Sequence, residues 1–131
     1  MKFSKWGIFA AVVMVIIIAF SLLFIGASIH IQICMNKYVS TAQKCFPEED
    51  DKLFSMIKYV NSNQYSLRDR NGMIWAIGQL ADKRALNHLL ELYTGEPCAH
   101  SLYLCQYELS KAINRCGGKV DFKYKDKKYN Q

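Results

Sequence analysis

From Gly7 to Ile29 the chain reads GIFAAVVMVIIIAFSLLFIGASI, without one charged side chain. A backbone buried in lipid must satisfy its own hydrogen bonds, and about 20 apolar residues at about 1.5 Å each cross a bilayer core as a helix. This stretch therefore predicts a transmembrane helix over residues 7–29, behind a short flank at 1–6. A cleavable leader is the competing reading. It requires a shorter apolar region and small residues at the cleavage site. The best site here, after Ala27, has Ile25 where a small residue belongs. The expectation is an uncleaved anchor in the lipid bilayer, with Trp6 at the interface and the small residues Gly26, Ala27 and Ser28 open to helix–helix contact.

Positive charges flank the run on both sides. Lys2, Lys5 and the amino terminus precede it; His30, Lys37 and Lys44 follow it. Lys5 abuts the run, whereas Lys37 lies several residues beyond it. The positive-inside bias then predicts a cytoplasmic N-terminus and a domain outside the cytoplasm, with a bacterial inner membrane and periplasm favoured. The formal charge of the 131-residue chain is +6. Much of it lies in the tail KVDFKYKDKKYNQ (119–131), where five Lys face two Asp. The tail has no Arg and no recognition motif, so a solvated end is expected rather than a nucleic-acid-binding arm.

Residues 30–46 read as a juxtamembrane stalk that ends at Phe46-Pro47. The remainder, 47–118, holds apolar stripes at helical spacing and no strand pattern. Leu53, Met56, Ile57 and Val60 predict a helix over 48–60, with Glu48 to Asp51 in its first turn against the positive end of the macrodipole. Ser66 and Asp69 form a capping-box signal for a second helix, whose stripe is Met73, Ile77 and Leu80 with Ala76 beside it. Asp82 is placed to cap a third helix carrying Leu86, Leu89, Leu90 and Tyr93, closed by Gly95 and Pro97. A fourth is expected from near Ser101, with Leu102, Cys105, Leu109, Ala112, Ile113 and Cys116 on its face and Gly117-Gly118 as its stop. The expected fold is all-α: one transmembrane helix, then about four short antiparallel helices.

The segment WAIGQL is echoed 36 residues later by KAINRC, so that Ala76 matches Ala112 and Ile77 matches Ile113. Paired helices at a period of about 35–45 residues are the pattern of a solenoid. The stretch RDRNGMIWAIGQLADKRALNHLLELYTGEP resembles a HEAT repeat of the short bacterial type found in phycobilisome lyases. Arg70 stands where that repeat opens its first helix. Ala76, Ile77, Gly78, Leu80 and Asp82 follow its closing run, and Leu86, Leu89 and Leu90 its second helix. One complete unit, residues 66–97, is covered; 101–118 and 48–61 match as half units. Lys83 stands where that family carries Pro after the turn Asp. The resemblance implies a protein-interaction scaffold; it does not imply a catalytic site.

The chain has five Cys. Outside the cytoplasm disulfides are expected. Cys105 and Cys116, eleven residues apart on one helix, would lie about 16 Å apart, too far to bond. Cys98 can fold back to Cys105, and Cys45 can reach Cys116 or Cys98; the favoured set is Cys98–Cys105 with Cys45–Cys116. A three-ligand metal set of Cys98, His100 and Cys105 is conceivable, but no zinc-type spacing appears. No phosphate loop, nucleophile elbow or redox CxxC is present. The predicted role is a membrane-tethered scaffold or accessory subunit, not an enzyme, that needs no cofactor and binds another membrane or envelope protein through Trp75, Tyr103, Arg68 and Arg84. The alternative is a thiol or metal module built on Cys98, His100 and Cys105.

Overall fold

The structure is a computed structural model that describes residues 5–98 and 102–122. All regular elements among the described residues are helical. They are α1 (Lys5–Cys45), α2 (Lys52–Asn61), α3 (Leu67–Leu80), a 3₁₀ turn (Lys83–Ala85), α4 (Leu86–Leu92) and α5 (Gln106–Arg115). The chain divides into two compact units, residues 1–34 and 35–131.

The first unit is the apolar part of α1. This helix is long and apolar enough to cross a membrane, with a mean hydropathy of 2.9 over its best window. Every described side chain from Trp6 to Ile33 is exposed. The polar groups inside the run are satisfied by the helix itself: Ser21 Oγ donates to Ile17 O and Ser28 Oγ to Phe24 O. That internal pairing is what lipid demands of a hydroxyl. Nothing lies within 4 Å of a Cβ built at Gly26.

The second unit begins inside the expected stalk. The helix does not fray after residue 29 but continues to Cys45, and its last turns are core material. Ala42 is fully buried, with Tyr38 and Val39 packed against the core beside it. In α2, Leu53, Met56, Ile57 and Val60 are buried as their spacing requires. The four acids, however, precede this helix. Asp51 is its N-cap and accepts Leu53 N–H at 2.8 Å, so the helix starts at Lys52. A capping carboxylate must stand outside the helix in extended conformation, which excludes Glu48 to Asp51 from the first turn. Lys58 instead pairs with Glu49 at 2.9 Å.

Ser66 caps α3 as expected: its Oγ accepts Asp69 N–H and donates to the Asp69 carboxylate. Met73, Ile74, Ala76, Ile77 and Gly78 are buried along α3, which packs against α2 and α5. Gly78 permits the α5 approach, since a Cβ there would stand 3.0 Å from Ala112 Cα. The chain leaves α3 through Ala81, which takes the left-handed conformation at φ 52°. Asp82 then caps the 3₁₀ turn by accepting Arg84 N–H, and α4 follows directly. Leu89 is buried on α4; Leu90 is not.

The last helix is shorter than its stripe suggested. It begins at Gln106, not near Ser101, and Cys105 is its N-cap. Leu109, Ala112, Ile113 and Cys116 are buried, while Leu102 is 77% exposed. Gly117-Gly118 ends the helix in a Schellman arrangement, with Gly118 N–H on Ile113 O and Gly117 at φ 95°. The tail does not leave at once. Val120 exchanges two hydrogen bonds with the Asn114 amide. The rest of the basic tail, 123–131, lies outside the described residues.

Candidate functional site

A cleft of about 480 Å³ opens where the α2–α3 turn, the end of α4 and the start of α5 meet. Leu67, Leu92, Leu102, Tyr103 and Leu104 supply its apolar lining; Asn63, Arg70, Thr94, Glu96 and Gln106 supply the polar groups. Each wall has a local cause.

Arg70 lies one turn into α3. Its Nε donates to Val60 O at 2.6 Å and its guanidinium to Asn63 Oδ1 at 3.0 Å. It thereby closes the C-terminus of α2, where a cation meets the negative end of the macrodipole and otherwise unpaired carbonyls. Among the described residues no carboxylate forms an ion pair with it.

Gln106 holds the opposite wall. It is 2% exposed, a polar side chain on the same stripe as Leu109, Ile113 and Cys116. Its Oε1 accepts Thr94 N–H at 2.7 Å and Gly95 N–H at 3.3 Å; its Nε2 donates to Leu104 O at 3.2 Å and Leu92 O at 3.4 Å. One amide thus pairs the backbone of a segment that has no ladder of its own. Buried backbone groups need such partners. The Tyr103 hydroxyl adds a bond to Pro97 O, and Cys105 N–H donates to Asn71 Oδ1 at 2.8 Å.

The same loop brings two sulfurs together. Cys98 Sγ and Cys105 Sγ are 2.9 Å apart, and Tyr107 N–H donates to Cys98 Sγ at 3.2 Å. Burial first, then the hydrogen bond with Cys98, pushes the Cys105 thiol up to about 11. The structure does not bring Cys45 to Cys116. Cys45 is exposed and lies beside Tyr65, and its thiol is the first cause that pushes the Tyr65 hydroxyl up to about 12. Cys116 is fully buried, its sulfur 4.0 Å from Ile77 O. His100 lies outside the described residues. Among the described residues no group of three or more His, Cys, Asp or Glu is placed to hold a metal ion.

Of the four interaction residues expected from the sequence, Tyr103 alone lines the cleft. Trp75 is half-buried, with its ring edge-on to Tyr38 at 6.1 Å. Arg84 is exposed, bridges Asp51 and Asp82 and lies over the Phe54 ring, away from the cleft lining. Arg68 is exposed on α3, away from the cleft lining. Leu102, Leu67, Leu92 and Gln106 were not foreseen as site residues. Gln106 carried a signal, because a polar residue on an apolar stripe must find buried partners.

Among the described residues every regular element is helical, and one helix is long and apolar enough to cross a membrane. Comparison with protein-family models, with curated proteins and with solved structures finds no match to the chain.

Proposed function

We propose that the chain is a single-pass membrane protein whose helical domain is a HEAT-like scaffold, and that the cleft beside Arg70 and Gln106 receives another membrane or envelope protein. The observation that carries this reading is the cleft's exposed apolar rim. Leu102 is a large side chain left 77% in solvent beside Tyr103, above an apolar floor. An aromatic and an aliphatic anchor next to a concave apolar surface match the anatomy of a binding hot spot. The HEAT-like reading is supported by the packing of α3 on α5, the helices that carry WAIGQL and KAINRC. In stacked repeats, equivalent helices lie side by side. Lys5 and Trp6 favour a cytoplasmic N-terminus and a domain outside.

The test is site-specific photo-crosslinking in native membranes from position 102, with position 68 as the control. A discrete crosslinked partner from 102 that is lost in Tyr103→Ala is the expected result. No crosslink from 102, or equal crosslinking from 68, would sink the reading. Thiol labelling of Cys45 in intact cells with a membrane-impermeant maleimide tests the orientation: Cys45 reacts if the domain is outside.

A further inference from the structure

We propose that Cys98 and Cys105 form a thiol–disulfide exchange site, with Cys98 the sulfur that meets an external disulfide and Cys105 the sulfur that closes the intramolecular bond. This goes beyond the scaffold reading and does not rest on it.

The two sulfurs are already in contact at 2.9 Å, and they are not equivalent. Cys98 is half-exposed; Cys105 is 2% exposed. Only Cys98 offers a path for an incoming reagent. Its sulfur also sits at the start of α5, where Tyr107 N–H points at it from 3.2 Å. The N-cap residue of that helix, Cys105, makes no side-chain capping bond, so the Cys98 sulfur fills the capping place from across the loop. An N–H at a helix N-terminus stabilises negative charge that develops on a sulfur during exchange.

Cys105 is the complementary partner. Asn71 Oδ1 holds its backbone N–H at 2.8 Å from the α3 side. Gln106 and Tyr103 hold the neighbouring backbone at Thr94, Leu104 and Pro97, so both arms of the loop are tied down. Burial and the contact with Cys98 keep the Cys105 proton in place in the dithiol state. The other cysteines lack this arrangement. Cys116 is enclosed in the core, Cys45 has Tyr65 beside it, and Cys34 has His30 at 3.7 Å.

The exchange balances without any further reagent. Cys98 as thiolate attacks one sulfur of an external disulfide R–S–S–R′. A Cys98–S–R bond forms, the S–S bond breaks, and R′S⁻ leaves with the electron pair and takes up the proton that Cys98 gave to solvent. In this mixed disulfide Cys98 is no longer the thiol neighbour that helped raise Cys105. Cys105 then gives its proton to solvent, attacks Cys98 Sγ, and expels RS⁻, which is protonated. The external disulfide is reduced to two thiols by two electrons, and the protein dithiol becomes a disulfide. Exchange of this kind depends on access, on which sulfur is attacked and on the leaving thiol.

The full chain in detergent micelles, fully reduced, is mixed with oxidised glutathione in one arm and with disulfide-bonded insulin in the other. Acid quenching, alkylation and peptide mass mapping then locate every sulfur. The expected wild-type product in at least one arm is a Cys98–Cys105 bond with no adduct retained. Faster closure with insulin assigns a protein disulfide as the natural partner class; faster closure with glutathione assigns a small one. Cys105→Ser is expected to retain glutathione on Cys98. Cys98→Ser is expected to leave Cys105 unmodified, at least ten-fold slower. Cys105→Ala replaces Cys105→Ser if helix content shows that the serine variant does not fold. Closure in neither arm, an adduct on wild-type Cys98 that never closes, or Cys105 reacting as fast as Cys98 would each overturn the assignment.

Discussion

Replacing Gln106 by Met keeps the length of the side chain and removes every hydrogen bond it makes. The cost can be worked from the geometry. The two shorter bonds, to Thr94 N–H at 2.7 Å and Leu104 O at 3.2 Å, each contribute about 1 kcal/mol net. The two longer ones, at 3.3 and 3.4 Å, contribute less. Thr94 and Gly95 are exposed, so their N–H groups regain water; Leu104 is 7% exposed, and its carbonyl does not. For Leu104 O, left as an unpaired buried acceptor, the cost is about 1–3 kcal/mol in place of the net value of its bond. The expected loss in Gln106→Met is about 2–4 kcal/mol. Urea titration of the full chain in micelles, followed by Trp75 fluorescence, should show the midpoint falling by about 1–3 M at unchanged slope. Amide exchange at Thr94 and Gly95 should quicken as well. A midpoint within about 0.3 M of wild type would refute the view that one buried amide holds this loop.

Three further outcomes follow from other parts of the fold. Arg84 holds the Asp51 and Asp82 carboxyls below their ordinary value of 3.8, chiefly through its hydrogen bonds to them. A lowered folded value makes the unfolded chain bind more protons, so this stabilisation is complete above 3.8 and is lost as pH falls through the lower folded value; Arg84→Met should therefore be less stable than wild type at pH 7, with the gap narrowing as pH falls below 3.8 in acid-unfolding curves. Ala81 adopts φ 52°, which costs an L side chain about 1 kcal/mol, so Ala81→Gly should raise the urea midpoint, and a lowered one would contradict the left-handed cap. Gly72 faces the Tyr38 ring, and a Cβ there would overlap it; Gly72→Val should dislodge Tyr38 from Trp75, destabilise the domain by about 1–3 kcal/mol and shift the Trp75 emission, as read by fluorescence.

What could be read from the sequence was what is decided locally. The apolar run of α1, the Ser66–Asp69 box, the Asp82 cap and the Gly117-Gly118 stop all involve residues within a few positions of one another. The stripes of α2 and α3 were legible for the same reason. The start of α5 was not. Leu102, Cys105 and Leu109 keep helical spacing, yet the backbone before Gln106 is paired by Asn71, Tyr103 and Gln106 from other parts of the chain. Helical periodicity alone does not register such bonds. The four acids before α2 misled in the same manner: their charge suits a first turn, but Asp51 is needed as the cap. The cleft was illegible altogether, since its walls span positions 63 to 106. Arg84, singled out as an Arg off the core stripes, also pairs with Asp51, 33 positions away, which spacing alone does not register.

The packing of α5 on α3 also sets an order on synthesis. Ile74, Ile77 and Gly78 belong to a core that includes Leu109, Ala112 and Ile113. When Leu80 has been added, about 35 residues are still to come before Arg115 completes that helix. At about 5–20 residues per second this interval lasts about 2–7 s. During it α3 has α2 on one side and no α5 on the other. The apolar face opposite Ala112 is then open to whatever chaperone or insertion machinery attends the growing chain.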